Sequence, residues 1–153
     1  MKVNYSEGTW FAVPLRNGGF ALGVVARATR QGGVVLAYLF GPRRETIPAM
    51  GEVAGLQPSH AVKIARVGDL NLIRGKWPII GEDGSWHRGS WGVPKFVRSD
   101  ELSHRAWAVE YADDDPNKVV SETPVPFGAS GLARDSVLGA GAAEIALTKL
   151  LAG

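Results

Sequence analysis

Seven consecutive apolar residues, Val34 to Phe40, constrain the fold more than any other part of this sequence. Gly32-Gly33 precedes the run and Gly41-Pro42 follows it, so the run has the length of one strand. Because neighbouring side chains of a strand point to opposite faces, a strand that is apolar throughout must be covered on both faces. This run therefore predicts either a small barrel or a sheet capped by a helix.

Two further strands are predicted before this run, and together the three form a meander. Thr9 to Arg16 and Phe20 to Ala28 are the strand candidates, and Asn17-Gly18-Gly19 separates them. Asn-Gly between apolar runs is a strong hairpin signal, because a type I′ turn needs positive φ at both central residues.

The rest of the chain alternates short apolar pieces with turns. We predict a short helix or turn over 45–57, a strand over 62–67, extended structure over 70–73, an edge piece over 77–80, a long structured loop over 81–98, a strand over 105–111, a solvated turn over 113–116 and an extended linker over 123–126. A helix is expected over 136–152, capped by Asp135 or Ser136 and ended by Gly153.

These elements predict the fold class. We expect one α+β domain over residues 1–153, with a strongly bent, mostly antiparallel sheet or small β-barrel closed by the C-terminal helix.

Composition excludes several classes of function. The 153 residues include no cysteine, which rules out disulfides, thiolate zinc sites and cysteine nucleophiles. Seventeen Lys and Arg against 15 Asp and Glu leave a net charge of +2, too small to recommend nucleic acid or anionic lipid as a partner. No run approaches the ~18 apolar residues of a membrane span, and the first residues lack the apolar stretch of a signal peptide. A cytoplasmic protein without a membrane partner is expected.

The three histidines give little metal chemistry. His60, His87 and His104 never fall four apart on one helix, which is the spacing of a local zinc pair. We therefore expect no metal site and no cofactor.

The segment from Trp77 to Phe96 is the strongest candidate for function. It carries three of the five tryptophans, including Trp86 and Trp91, with Arg88 between those two. Tryptophan and arginine are common binding anchors, because each combines a large contact area with a polar group. The alternative is that the aromatic rings only keep a long loop packed. A binding role predicts that Trp86, Arg88 and Trp91 are at least partly exposed.

Several blocks of the sequence resemble the immunity protein 26 family, which is grouped with a HocA-type phosphotriesterase. The resemblance covers roughly residues 5–150 and rests on these blocks: Glu7 to Leu15, Gly19 to Arg27, Leu36 to Pro42, Gly75 to Gly81, Trp86-His87-Arg88 and Trp91 to Phe96. It implies a toxin-neutralising protein whose partner is the cognate toxin domain of a bacterial polymorphic toxin system.

On that hypothesis the binding residues are Glu82, Asp83, Trp86, His87, Arg88 and Trp91. Inhibitors of basic nucleases are expected to be acidic, because complementary charge steers encounter. A chain at +2 then needs a local acidic patch, or a target that is not a basic nuclease. Five residues are candidates for such a patch: Glu82, Asp83, Asp113, Asp114 and Asp115.

Two alternatives remain open. A phosphotriester hydrolase would use His87 as base or ligand, Asp83 or Glu82 as its partner, and Arg88 as a clamp on the phosphoryl oxygens. A small barrel that binds nucleic acid would need a basic stripe among its aromatic residues. The even charge balance makes this second alternative the weaker one.

Overall fold

The computed structural model describes residues 3–128 and 131–152. Ten strands and three α-helices lie in that part of the chain: β1 (Thr9–Pro14), β2 (Phe20–Ala28), β3 (Val34–Arg44), α1 (Met50–Val53), β4 (Lys63–Gly68), α2 (Leu70–Ile73), β5 (Ile79–Glu82), β6 (Phe96–Asp100), β7 (Arg105–Ala112), β8 (Asp115–Val125), β9 (Ala133–Arg134), β10 (Val137–Leu138) and α3 (Ala140–Leu150). Short 3-10 turns occupy Pro58–His60 and Arg88–Ser90. None of the described helices is long and apolar enough to cross a membrane.

The strands form two sheets. The large sheet has the order β10-β4-β3-β2-β1-β5, and the small sheet has the order β8-β7-β6-β9. All pairings are antiparallel except β10 with β4 and β6 with β9. The α+β class with a C-terminal helix is confirmed. The small-barrel alternative is wrong, because within the described residues each sheet keeps two open edges.

Strand β3 is covered on both faces, as its continuous apolar run predicts. Val35, Ala37 and Leu39 belong to a core that also contains side chains of α2 and α3. The alternate residues Leu36 and Phe40 belong to a second core, shared with Phe96, Val109 and Tyr111 of the small sheet. Burying a Val, Leu or Phe side chain contributes about 1.5–3 kcal/mol to the free energy of unfolding. Strand β3 therefore stabilises both cores.

The first hairpin forms where the sequence predicts it, with a different turn. Strands β1 and β2 pair from Trp10 opposite Val24 to Pro14 opposite Phe20. Positive φ falls on Gly18 (93°) and Gly19 (75°), one position later than a type I′ turn centred on Asn-Gly requires. The two glycines accommodate the bend that the strand pairing imposes.

Two predicted extended segments have other structures. Residues 70–73 form α2, because Leu72 is packed into the first core while Ile73 and Arg74 donate helical bonds to Asp69 and Leu70. The sequence predicts a linker over 123–126, but β8 continues to Val125 and pairs with β7. Strand β8 tolerates Pro124 because it lies at the edge of its sheet.

The C-terminal helix begins later than predicted. Val137 and Leu138 form β10 beside Arg66 and Val67 of β4, and Gly139 takes the N-cap position in place of Asp135 or Ser136. Gly153, the expected end of the helix, lies outside the described residues. Helix α3 packs Ala143 and Leu147 into the first core.

One carboxylate of α3 ties the helix to the large sheet and its loops. Glu144 accepts hydrogen bonds from Trp77 Nε1 at 2.8 Å, Asn71 Nδ2 at 3.3 Å and Arg16 Nε at 3.1 Å.

The segment 133–138 joins the two sheets. Its first strand, β9, pairs with β6 of the small sheet, and its second strand, β10, pairs with β4 of the large sheet. Between them, Asp135 accepts a hydrogen bond from the Tyr111 hydroxyl at 2.5 Å. The buried guanidinium of Arg66 lies 3.9 Å from the centre of the Tyr111 ring and 3.4 Å from the Asp135 carboxylate.

Candidate functional site

The aromatic segment is a loop between β5 and β6. Strand β5 extends to Glu82 and β6 begins at Phe96, so the loop is shorter than the predicted 81–98. The 3-10 turn Arg88–Ser90 lies between Trp86 and Trp91, whose backbone N–H groups donate to the carbonyls of Asp83 and Arg88. This local geometry sends the two tryptophan rings toward the same part of the second core.

Trp91 is the buried base of the loop. Its side chain contacts Trp10, Tyr38 and Phe40 edge-on, with ring centroids 5.0–6.1 Å apart. The Tyr38 hydroxyl also donates to the Gly92 carbonyl at 2.6 Å. The expectation that Trp91 is partly exposed is wrong: only 6% of it is accessible, because its ring fills the space against β1 and β3.

Trp86 lies above Trp91 and is half-buried. The two rings are stacked, with 4.9 Å between centroids and 22° between planes. Gly8, with φ +90°, approaches the other parts of the indole so closely that a Cβ atom there would lie 2.9 Å from Trp86 Cγ. The two contacts therefore restrict the orientation of Trp86, and the residue is half-buried, which agrees with the expectation that it is partly exposed.

Arg88 ties the loop to two distant parts of the chain. Its Nε donates to Glu7 Oε1 at 2.7 Å, and its two terminal nitrogens donate to the carboxylate and the carbonyl of Asp113. These hydrogen bonds, first to Glu7 and then to Asp113, raise the pKa of Arg88. Although 37% of the side chain is exposed, all three guanidinium nitrogens are engaged, so Arg88 is not free to clamp a phosphoryl group.

Asp113 also neutralises a buried arginine. Arg27, whose side chain is 3% exposed, donates from Nη2 at 2.9 Å and from Nε at 3.1 Å to Asp113 Oδ1. Its Nη1 donates to the Ala26 carbonyl. The hydrogen bonds from Arg88 and then Arg27 lower the pKa of Asp113, which stays ionised in this network.

A cavity of about 350 Å³ opens beside Trp86. Asp83 and His87 line it together with the indole of Trp86. The chain after α1 also contributes to the lining: Ala54, Leu56, Gln57 and Pro58. The backbone N–H and the hydroxyl of Ser85 donate to Asp83 Oδ1 at 2.9 and 2.6 Å, and both bonds lower the pKa of Asp83.

The predicted acidic patch is divided in the structure. Glu82 turns toward β1, where it accepts hydrogen bonds from Ser6 and Thr9 at 2.6 and 3.2 Å. Asp114 and Asp115 line a different cavity, of about 260 Å³. Within residues 3–128 and 131–152, no three His, Asp or Glu side chains are grouped so that they could hold a metal ion.

Two contributors to the site are not apparent from the sequence. Glu7 lies 81 positions from Arg88. The cavity lining from Leu56 and Gln57 belongs to the segment 45–57, for which the sequence predicts only a short helix or turn. The signal near Glu7 is the glycine that follows it. The structure explains this glycine, because Trp86 leaves no space for a side chain at position 8.

One of three comparisons with known proteins found a match. A family model described as Immunity protein 26 matches residues 6–108, which include Glu7, Gly8 and the whole loop from Asp83 to Lys95. Searches of curated proteins and of solved structures found no match. Nothing in the comparisons supports the link to a HocA-type phosphotriesterase. The match covers more than half of the chain, which therefore belongs to the Immunity protein 26 family and, by that family's name, to the immunity proteins of toxin systems.

Proposed function

We propose that this chain neutralises a cognate toxin domain by binding it through the Trp86 surface, which we define as Asp83, Trp86, His87, Arg88 and the cavity beside them. One observation carries the proposal: the Trp86 ring is stacked on Trp91 and lies close to Gly8, and the residue is still half-buried rather than fully buried. Large aromatic side chains dominate the binding energy of many protein interfaces.

Rigidity favours binding at this surface. A side chain that is already ordered in the free protein loses little conformational entropy when a partner binds, whereas ordering a mobile one costs about 0.5–1.5 kcal/mol. Trp86 is ordered by its stacking contact, and Arg88 is ordered by Glu7 and Asp113. The loop therefore presents its anchors in the orientation that a partner would meet.

Charge near the loop supports a protein partner over nucleic acid. Arg88 is the cation nearest to Trp86 in sequence, and its charge is shared with two carboxylates. A nucleic-acid site would need unpaired cations along a groove that follows the phosphate backbone. The loop instead combines an aromatic surface with polar side chains at its margin, which is the composition of a protein interface.

The experiment is a growth assay with a matched tryptophan control. The chain is co-expressed in a bacterial host with each toxin domain encoded beside its gene, and growth is compared with that of the host producing toxin alone. We expect the unmodified chain to restore growth and Trp86→Ala to weaken toxin binding by about 30-fold or more, the effect of a loss of about 2 kcal/mol. Trp107→Ala is the control, because Trp107 is also half-buried but belongs to β7 of the small sheet.

Two outcomes contradict the proposal. Growth rescue by Trp86→Ala equal to that by the unmodified chain would place the toxin elsewhere on the molecule. Hydrolysis of a chromogenic phosphotriester by the purified chain, lost in His87→Ala, would show an enzyme in place of a binding protein.

A further inference from the structure

We propose that the cavity beside Trp86 receives a lysine or arginine side chain from the toxin, an inference that rests on the function proposed above. The lining of the cavity combines apolar and aromatic side chains with uncharged polar ones, a histidine and one carboxylate: Ala54, Leu56, Pro58, Trp86 and Trp91, then Gln57, Ser85 and Ser90, then His87 and Asp83. Long cationic side chains match this combination, because they carry an apolar stem and a charged end.

The walls fit the stem of such a side chain. Leu56, Pro58 and Trp86 supply apolar and aromatic surface to the lining, together with Trp91. At about 350 Å³ the cavity lies near the lower end of the range for ligand pockets, which suits one side chain.

Asp83 fits the charged end. Both donors of Ser85 bond to Oδ1, and no donor in the described part of the chain contacts Oδ2. The carboxylate is thus oriented by its own loop while one oxygen remains available. Hydrogen bonds between an ionised carboxylate and a cationic donor are roughly twice as strong as those between neutral groups.

The charges around the cavity also favour a cation. Glu7 and Asp113 are paired with Arg88 and Arg27. Asp83 is the carboxylate in the cavity lining, and within the described residues no cation contacts it, so it complements a basic side chain. Such complementarity would steer a basic partner to this site.

The test uses small probes in place of the toxin. Chain labelled with ¹⁵N is titrated with N-acetyl-arginine methylamide, N-acetyl-lysine methylamide and the neutral N-acetyl-citrulline methylamide, while the tryptophan indole N–H resonances are followed. We expect a saturable shift of the Trp86 resonance with both cationic probes, and at least tenfold weaker binding of the citrulline probe.

Asp83→Asn tests the carboxylate without removing the acceptor that Ser85 uses. We expect this variant to bind the arginine probe at least tenfold more weakly, whereas Asp114→Asn, which neutralises an exposed carboxylate lining another cavity, should bind it as the unmodified chain does. Equal shifts with arginine and citrulline, no saturable shift at Trp86, or unchanged binding by Asp83→Asn would each overturn the inference.

The two proposals can fail separately. If Asp83→Asn still binds and neutralises the toxin as the unmodified chain does, the cation site is wrong and the immunity function stands. If the chain protects against no toxin but binds the arginine probe through Asp83, the toxin function is wrong and the cation-binding cavity stands.

Discussion

The indole rings of Trp86 and Trp91 lie 4.9 Å apart at their centroids and within 22° of parallel. One ring is buried in the core between the sheets, and the other is half-buried at the surface. The loop between β5 and β6 contains no strand, so the stacking contact with the buried Trp91 ring is what fixes the position of Trp86. A loop supported in this way can present a binding anchor without first ordering it.

Replacement of Gly8 by alanine tests the close contact between Gly8 and Trp86. Gly8 has φ +90°, and an added Cβ would lie 2.9 Å from Trp86 Cγ, so either the indole or the backbone must shift. Gly75→Ala is the matched control, because Gly75 has φ +74° and open space around its Cβ position. Both variants should lose about 1–2 kcal/mol of unfolding free energy from backbone strain. Only Gly8→Ala should lose more than that and also shift the indole N–H resonance of Trp86.

Urea titration gives the free energies, and the indole N–H resonance of Trp86 reports its environment. Equal destabilisation of the two variants, with the Trp86 resonance unmoved, would show that Gly8 is required for its backbone conformation alone.

Asp113→Ala tests the ion pairs that hold the loop. The substitution leaves Arg27 buried without a carboxylate partner and releases Arg88 from the β7–β8 turn. An unsatisfied buried charged group costs about 1–3 kcal/mol or more, so we expect a loss of unfolding free energy in that range. Asp114→Ala, the exposed neighbour, should change stability by less than about 0.5 kcal/mol. A stability of Asp113→Ala equal to that of the neighbour variant would show that Arg27 is satisfied by other groups.

Ionisation of Tyr111 should make the free energy of unfolding depend on pH in the alkaline range. Burial, followed by the hydrogen bond to Asp135, raises the pKa of Tyr111 from 10.0 to about 12. The unfolded chain then releases the phenolic proton at lower pH than the folded chain does. The stabilisation is complete below pH 10 and is lost as pH rises to about 12. Tyr111→Phe should be less stable than the unmodified chain at pH 8, and its stability should fall less between pH 10 and 12.

Urea unfolding at a series of pH values measures this difference, and an absorbance titration of the phenol locates the pKa directly. If the two chains lose stability in parallel across that range, ionisation of Tyr111 does not contribute to the alkaline transition.

The elements that could be predicted from sequence depend on local patterns. The apolar run of β3 and the Asn-Gly-Gly turn each carry their own signal, because burial on two faces and positive φ limit the residues at those positions. The signals for α2 and β10 are weaker, since four residues and two residues do not establish a period. Tertiary contacts decide these elements: Leu72 is drawn into the first core, and β10 pairs with β4.

The candidate site was predictable as a segment and less so as an arrangement. The concentration of tryptophan beside Arg88 identifies the loop, but composition does not say which indole is buried. Trp91 is buried because β1 and β3 surround it, and Arg88 is paired because Glu7 and Asp113 approach from positions 81 and 25 residues away. Contacts at such separations leave no spacing in the sequence.

The segment 133–138 has a consequence for how the protein comes apart. Strand β9 is the edge strand of one sheet and β10 is the edge strand of the other, and both lie within six residues. The two sheets therefore cannot separate unless β9 or β10 loses its pairing. The two layers should then resist a stretching force as one mechanical unit and melt in one transition. A toxin held by the loop between β5 and β6 would thus be held by both sheets at once.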